Sequence, residues 1–255
     1  MNILVIGANS DIAYALIKQL AARFFANFYL ASLDQKALQA KAQDLQTRYQ
    51  VKVKTFQFDI TDYASHSKFY QQLTPKPDGI ILASGWCPSH TELLNQFNAV
   101  EKLVAINYVG AMSILDIVAR DLEQRSTSMG IERKSDVLPL FIVALSSVAG
   151  ERGRASNYYY GSAKAALTTY LSGLRARLHA KHCLVMTVLP GFVQTKMTAA
   201  MPLPKSLTAQ PEQVASDILK ALIKRKPVVY TRWYWRWIMW IIRLLPETIF
   251  LRLSF

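Results

Sequence analysis

Short apolar runs rich in β-forming residues alternate with longer amphipathic stretches along the whole 255-residue chain. The apolar runs cover residues 3–7, 28–32, 51–58, 79–84, 140–146, 184–189 and 228–231. Helix-like stretches fill the gaps at 12–24, 35–49, 63–73, 93–122, 160–181 and 211–226. This alternation predicts an α/β fold: a doubly wound, Rossmann-type parallel sheet of about seven strands, joined by right-handed crossovers, with helices on both faces. The first, fourth, fifth and sixth runs are apolar on both faces, as buried central strands require. The third alternates, Val-Lys-Val-Lys-Thr-Phe-Gln-Phe, and belongs nearer an edge. The polar stretch 125–136 reads as a loop or helix end, and no linker or repeat divides residues 1–231.

Half of the chain is hydrophobic and only 18% is charged, enough apolar matter for a sizeable core. Its two cysteines, Cys87 and Cys183, are far apart and show no metal or CxxC spacing. That usage fits a reduced, cytoplasmic setting with buried thiols and no structural metal. The first residues lack a basic segment followed by a long apolar one, and read as a strand, not a signal peptide. The net charge of +13 asks for an anionic partner. No basic run sits in a nucleic-acid motif, so nucleic acid is not expected. Much of the excess lies late in the chain, at Lys220, Lys224, Arg225, Lys226, Arg232, Arg236, Arg243 and Arg252.

Two local patterns carry chemistry. Gly7-Ala-Asn-Ser-Asp-Ile-Ala13 follows the first strand and opens a helix. Backbone N–H groups there can hold a pyrophosphate, with Gly7, Asn9, Ser10 and Ile12 as candidate contacts. Only the first glycine of such a turn is present. Ala13 is small enough for close packing, whereas Asp11 must point away from phosphate or cap the helix. Further along, Tyr160 and Lys164 stand four apart, thirteen residues after Ser147. Four residues is one helical turn, so the two share a face. An ammonium beside a phenol favours phenolate and lowers its pKa, which suits the phenol to passing protons. Tyr158 and Tyr159 are followed at that spacing by Ser162 and Ala163, so only Tyr160 has such a partner.

Together these segments resemble the short-chain dehydrogenase/reductase family over about the first 230 residues. Gly7–Ala13 is similar to its cofactor turn, though depleted in glycine. Asp59, with Ile60 beside it, matches an adenine-contacting position. Ala83-Ser84-Gly85 stands where an Asn-Ala-Gly is usual, so one asparagine is missing. Asn107 matches the family's relay asparagine, and Ser147, Tyr160 and Lys164 match its catalytic set. Pro190-Gly191-Phe192-Val193-Gln194-Thr195 matches the loop that meets the nicotinamide. The stretch from Ser146 to Lys164 and the tail from Leu245 to Leu253 further resemble the decaprenylphosphoryl-2-keto-ribose reductase subgroup.

The resemblance implies hydride transfer from NAD or NADP to a ketone, with Tyr160 as proton donor. Lys164 would hold the nicotinamide ribose and tune Tyr160, Ser147 would bond the carbonyl oxygen, and Asn107 would support a proton path. The subgroup implies a lipid-linked, polyprenyl-phosphoryl keto-sugar, and the family implies a homo-oligomer. Another lipophilic ketone, of acyl or sterol type, or a cofactor-binding regulator without turnover are the alternatives. Arg152 and Arg154 follow the serine closely and are candidates for a substrate phosphate, or for a solvated ion pair. Ser32 and Leu33, at the end of the second strand, select neither NAD nor NADP. Asp34 could reach the ribose or cap the next helix.

The tail, residues 232–255, is unusual: Arg-Trp-Tyr-Trp-Arg-Trp-Ile-Met-Trp-Ile-Ile-Arg-Leu-Leu to Pro246. Arg232, Arg236 and Arg243 fall on a narrow helical stripe, and the rest is aromatic or aliphatic. Such a stretch is too short to span a bilayer, which takes about 20 residues. It reads as an amphipathic helix lying at the cytoplasmic face of a membrane, or as a lid or dimer helix packed on protein.

Overall fold

The computed structural model describes residues 1–24, 26–128 and 138–252. The chain runs β1 (Asn2–Ile6), α1 (Asp11–Phe24), β2 (Asn27–Ser32), α2 (Gln35–Tyr49), β3 (Val53–Gln57), α3 (His66–Gln71) and β4 (Gly79–Leu82). It continues through α4 (His90–Asn95), α5 (Phe97–Val104), a π turn at Ala105–Val109, α6 (Gly110–Ser128) and β5 (Phe141–Leu145). Then come α7 (Tyr158–His179), β6 (Leu184–Pro190), α8 (Pro211–Ile223), β7 (Val228–Thr231), α9 (Tyr234–Leu244) and α10 (Glu247–Phe250).

All seven strands pair in parallel, in the order β3-β2-β1-β4-β5-β6-β7. The expected Rossmann-type sheet is therefore present, with the alternating third run on an edge. Successive side chains of β1 serve opposite faces, because strand side chains alternate. Ile3 and Val5 join one core with Leu16, Ile17, Leu38, Val214 and Ile218 of α1, α2 and α8. Leu4 and Ile6 join the other with Phe69, Ile114, Val118, Leu171 and Leu174 of α3, α6 and α7. The chain reverses its winding between β1 and β4, and in such sheets a crevice opens at that point beyond the strands' carboxyl ends.

Two expected helices are interrupted. The stretch 63–73 forms a 3-10 turn, Tyr63–Ser65, followed by the short α3. The stretch 93–122 breaks at Gln96, whose extended backbone (φ −135°, ψ 95°) separates α4 from α5. It then widens into the π turn before α6. The run Phe97–Ser126 is long and apolar enough to cross a membrane, yet Ile114, Leu115, Val118, Ala119 and Leu122 are fully buried against the sheet. The polar stretch 125–136 begins inside α6, and from residue 129 it lies outside the described residues. Cys183 is buried as expected, whereas Cys87 is only partly so.

The tail does not hang free. Trp235 and Met239 of α9 pack with Val148 and Leu189 in a small core of their own, flanked by Phe192, Tyr230 and Ile242.

Candidate active site

A cleft of about 590 Å³ opens at the carboxyl edge of the sheet. Gly7 forms its floor at the β1–α1 turn. Its backbone is left-handed (φ 77°), and a Cβ there would lie 2.4 Å from the Ser84 nitrogen. Only glycine permits β1 and the β4 loop to approach so closely. The Ser10 hydroxyl accepts from the Ala13 amide at 3.4 Å, capping α1. Asp11 resolves its dilemma by turning across the cleft: its carboxylate accepts the Lys196 amide at 2.8 Å. The α1 N-terminus is thereby left free to face an anion.

At the far side, Asn9 donates to the Ser32 hydroxyl at 3.2 Å and to the Asp34 carbonyl at 2.9 Å. Asp34 caps α2, accepting from the Ala37 amide at 3.0 Å, and does not line the cleft; Ser32 and Leu33 do. Lys41, which sequence reasoning missed, donates to the Ala8 and Asn9 carbonyls at 3.3 and 2.9 Å. Burial, aided by nearby Lys196, lowers its pKa to about 8. No one-dimensional signal points from α2 to that turn. Asp59 lines the cleft too, its carboxylate accepting from the Thr61 amide and hydroxyl at 2.8 and 2.7 Å. Those bonds hold its pKa below the usual carboxylate range.

Ser147 lies two residues past the end of β5, and Tyr160 and Lys164 stand on the first turns of α7. All three line the cleft with Gly85, Ile60, Pro190, Gly191, Val193 and Thr195. Ser146, not singled out from sequence, fastens the two elements: its hydroxyl donates to the Lys164 carbonyl at 3.0 Å and pairs with Thr168 at 2.7 Å.

The expected influence of Lys164 on Tyr160 is corrected. The ammonium, only 2% exposed, donates to the Leu145 carbonyl at 3.0 Å and stands 5.6 Å from the Tyr160 ring centre. Burial pushes the Tyr160 pKa well up, Cys87 adds to this, and only Ser147 opposes it. Burial also depresses Lys164 to about 8. In this enclosed setting desolvation outweighs the attraction between the two groups.

Asn107 lies within the π turn and is buried. Its amide donates to the Trp86 carbonyl at 2.7 Å and the Leu103 carbonyl at 3.0 Å, and its oxygen accepts from the Trp86 amide at 3.4 Å. A π turn loosens the regular helical ladder, often at functional sites. Here the side chain repairs the loosened ladder and pins the loop after β4, where the family's usual asparagine is absent.

The sequence profile described as short chain dehydrogenase matches residues 1–205. An uncharacterised oxidoreductase of Mycobacterium tuberculosis is 32% identical over 254 residues, covering 98% of this chain and 96% of its own. The chain belongs to the short-chain dehydrogenase family. A 3-oxoacyl-[acyl-carrier-protein] reductase of Aquifex aeolicus is 24% identical, covering 85% of this chain and 87% of its own. A short-chain dehydrogenase from Sphingobium yanoikuyae, solved in complex with NADPH, superposes with a TM-score of 0.79 at 20% identity, covering 96% of both chains. This dehydrogenase is thus an NAD(P)-dependent oxidoreductase, and its cleft has the parts a dinucleotide needs: a glycine floor, a free helix N-terminus and a long lining from Leu33 to Ser147.

The residues after the profile match also shape the site. The Trp235 indole sits against Gly191, where a Cβ would come within 1.9 Å of the ring. Arg152 donates to the Ile242 and Leu245 carbonyls at 2.7 and 2.6 Å, pairs with Glu247 at 2.8 Å, and covers the Phe250 ring at 4.0 Å. Glu151 accepts from the Tyr230 hydroxyl at 2.6 Å and lies 3.6 Å from Arg243. The loop after Ser147 therefore clasps the tail. Arg152 is committed to that clasp, and neither it nor the half-buried Arg154 lines the cleft. Their expected grip on a substrate phosphate finds no support in this geometry.

Proposed function

We propose that the protein uses NADH or NADPH to reduce a ketone carried by a lipophilic, phosphate-bearing molecule at a membrane surface, with a polyprenyl-phosphoryl keto-sugar as the favoured substrate. The observation that carries this reading is the clasped tail. Trp235 rests on the loop that borders the cleft, while Trp237, Trp240 and Leu244 on the opposite face of α9 are 56%, 57% and 64% exposed. A helix that is apolar on two faces has, among the described residues, a partner for one of them and an exposed second face. With eleven residues, α9 lies on a bilayer rather than crossing it. The protein is then peripheral to the cytoplasmic face.

When bound, the nicotinamide supplies hydride to the carbonyl carbon. The chain's own residues handle position and proton. Gly7, Asn9, Ser10, Ile12, Asp59 and Ile60 hold the nucleotide half, and Gly85, Pro190, Gly191, Val193, Thr195 and Lys164 hold the nicotinamide half. Tyr160 gives its proton to the carbonyl oxygen. The raised pKa keeps the phenol protonated at neutral pH, which suits the reducing direction. Ser147 bonds the same oxygen, and Asn107 keeps the Trp86 loop in place beside it. The second reading, an acyl ketone, is favoured by the similarity to a 3-oxoacyl reductase.

The deciding experiment follows loss of reduced-cofactor absorbance over keto-sugars, polyprenyl-phosphoryl ketones and 3-oxoacyl thioesters. Preference for the polyprenyl-phosphoryl ketone supports the first reading. Preference for the acyl thioester installs the second, and turnover that survives Tyr160→Phe removes the proposed proton donor.

A further inference from the structure

A second concavity, an open groove of about 970 Å³, lies away from the cleft, between α8, β7 and the outer side of α9. Lys220 and Lys224 enter it from the end of α8, Lys226 from the turn before β7, and Arg236 from α9. All four are exposed. None of these four has an acidic partner among the described residues, whereas the groove's remaining arginines are engaged: Arg232 with Asp217 at 3.9 Å and Arg243 with Glu151 at 3.6 Å. Asp217, the one acid in the lining among the described residues, also accepts the Arg232 amide at 2.7 Å. Trp237 and Trp240 form the aromatic wall, their rings edge to face at 6.3 Å.

Lys220 and Lys224 alone could be explained as cations complementing the end of α8. That does not explain why Lys226 and Arg236, from two other segments, converge on the same space. Four unpaired cations at one groove repel one another, and the arrangement is relieved by an anion. The tryptophans favour the headgroup level of a bilayer, where a ring can be apolar on one side and wet on the other. A second copy of the chain fits poorly, because a two-fold interface would set these cations against themselves.

We propose that this groove seats the headgroups of anionic phospholipids, so that a bilayer is held by the α8–β7 lysines as well as by the tail. The proposal rests on the membrane reading above and extends it to residues outside 232–255. It also gives the dehydrogenase an orientation. The outer face of α9 meets the lipid while its inner face touches Gly191, so the cleft border stands one helix thickness from the surface.

The test is flotation of the purified full-length protein with vesicles of phosphatidylcholine alone or containing phosphatidylglycerol. Expected are binding to the anionic vesicles only, weakening with salt, and an at least tenfold loss in the Lys220→Gln/Lys224→Gln/Lys226→Gln variant. Cofactor oxidation with a water-soluble ketone, unchanged in that variant, shows that the fold is intact, and reads the proposed reduction separately from lipid binding. Wild-type-like flotation of the triple variant overturns the proposal, as does equal binding to neutral vesicles. Sedimentation showing a dimer that the same substitutions dissolve, without vesicle binding, overturns it in favour of a second copy. Retention on a nucleic-acid duplex without vesicle binding overturns it in favour of another polyanion.

Discussion

Gly191 and Trp235 are packed so closely that a methyl group on the first would fall 1.9 Å from the indole of the second. One belongs to the loop bordering the cleft, the other to a helix after the residues that match the family profile. Gly191→Ala must therefore push the tail helix away. We expect a stability loss of about 1–3 kcal/mol, typical of overpacking, and a fall in kcat/KM. Thermal unfolding and steady-state kinetics measure both. Trp235→Leu in the same chain should return part of each loss, so a double-mutant cycle showing strict additivity would contradict the contact.

Lys164 should cost stability near neutral pH. Its pKa falls from 10.5 unfolded to about 8 folded, so between those values the unfolded chain binds more protons. Stability therefore rises as pH climbs from about 8 toward 10.5. Below that window the full penalty of a buried ammonium is present. Removing that penalty contributes about 3 kcal/mol at pH 7, since lowering a pKa by one corresponds to about 1.4 kcal/mol. Stranding the Leu145 carbonyl costs about 1–3 kcal/mol in return. Lys164→Met is therefore expected to be neutral to slightly stabilising at pH 7, while turnover is lost. Denaturant melts of both proteins across pH 7–10.5 decide this; a parallel pH dependence of the two would contradict it.

Asn107→Ala removes three hydrogen bonds, among them the donor to the Trp86 carbonyl and the acceptor of the Trp86 amide. Unsatisfied buried polar groups cost ~1–3 kcal/mol each, so we expect a loss of a few kcal/mol and at least a tenfold fall in kcat. Asn107→Asp keeps the shape but cannot donate when ionised, and should do little better. Chemical denaturation and single-turnover rates give the two readouts.

Arg152→Ala should loosen the tail without harming the handling of a small ketone. Its pair with Glu247 contributes little, because that carboxylate is 70% exposed. The bonds to the Ile242 and Leu245 carbonyls matter more, since Arg152 itself is 14% exposed. Faster limited proteolysis near residue 243 is expected, with KM for a water-soluble ketone within twofold of wild type. A rise in KM confined to phosphorylated ketones would return Arg152 to a substrate role.

Truncating residues 232–255, the obvious test of a membrane tail, would also uncover Val148, Leu189 and Gly191. Trp237→Ser/Trp240→Ser is the cleaner variant, because both side chains are more than half exposed. We expect it to lose vesicle binding while retaining its melting temperature within about 2 °C, as surface changes usually do.

The sequence alone determined the layered sheet and the face that carries Tyr160 and Lys164, because periods of two and 3.6 residues are local properties. It marked Gly7 as necessary, and the left-handed turn under Ser84 supplies the reason. It separated Tyr160 from its two neighbours by spacing, and α7 starts where that spacing needs it. Tertiary structure decided what spacing cannot carry: which partner each charged group meets and how much water surrounds it. Lys164 turned to the Leu145 carbonyl, Arg152 to the tail, Asp11 to Lys196, and Lys41 arrived from α2 unannounced. The π turn at Asn107 was hidden inside one long apolar, helix-like stretch, 93–122. Nor could the tail's pattern say which side of its helix meets protein: α9 buries Trp235 against the fold and leaves Trp237 and Trp240 exposed. Contacts and desolvation act through space, between residues as many as 193 positions apart, and no local pattern encodes them.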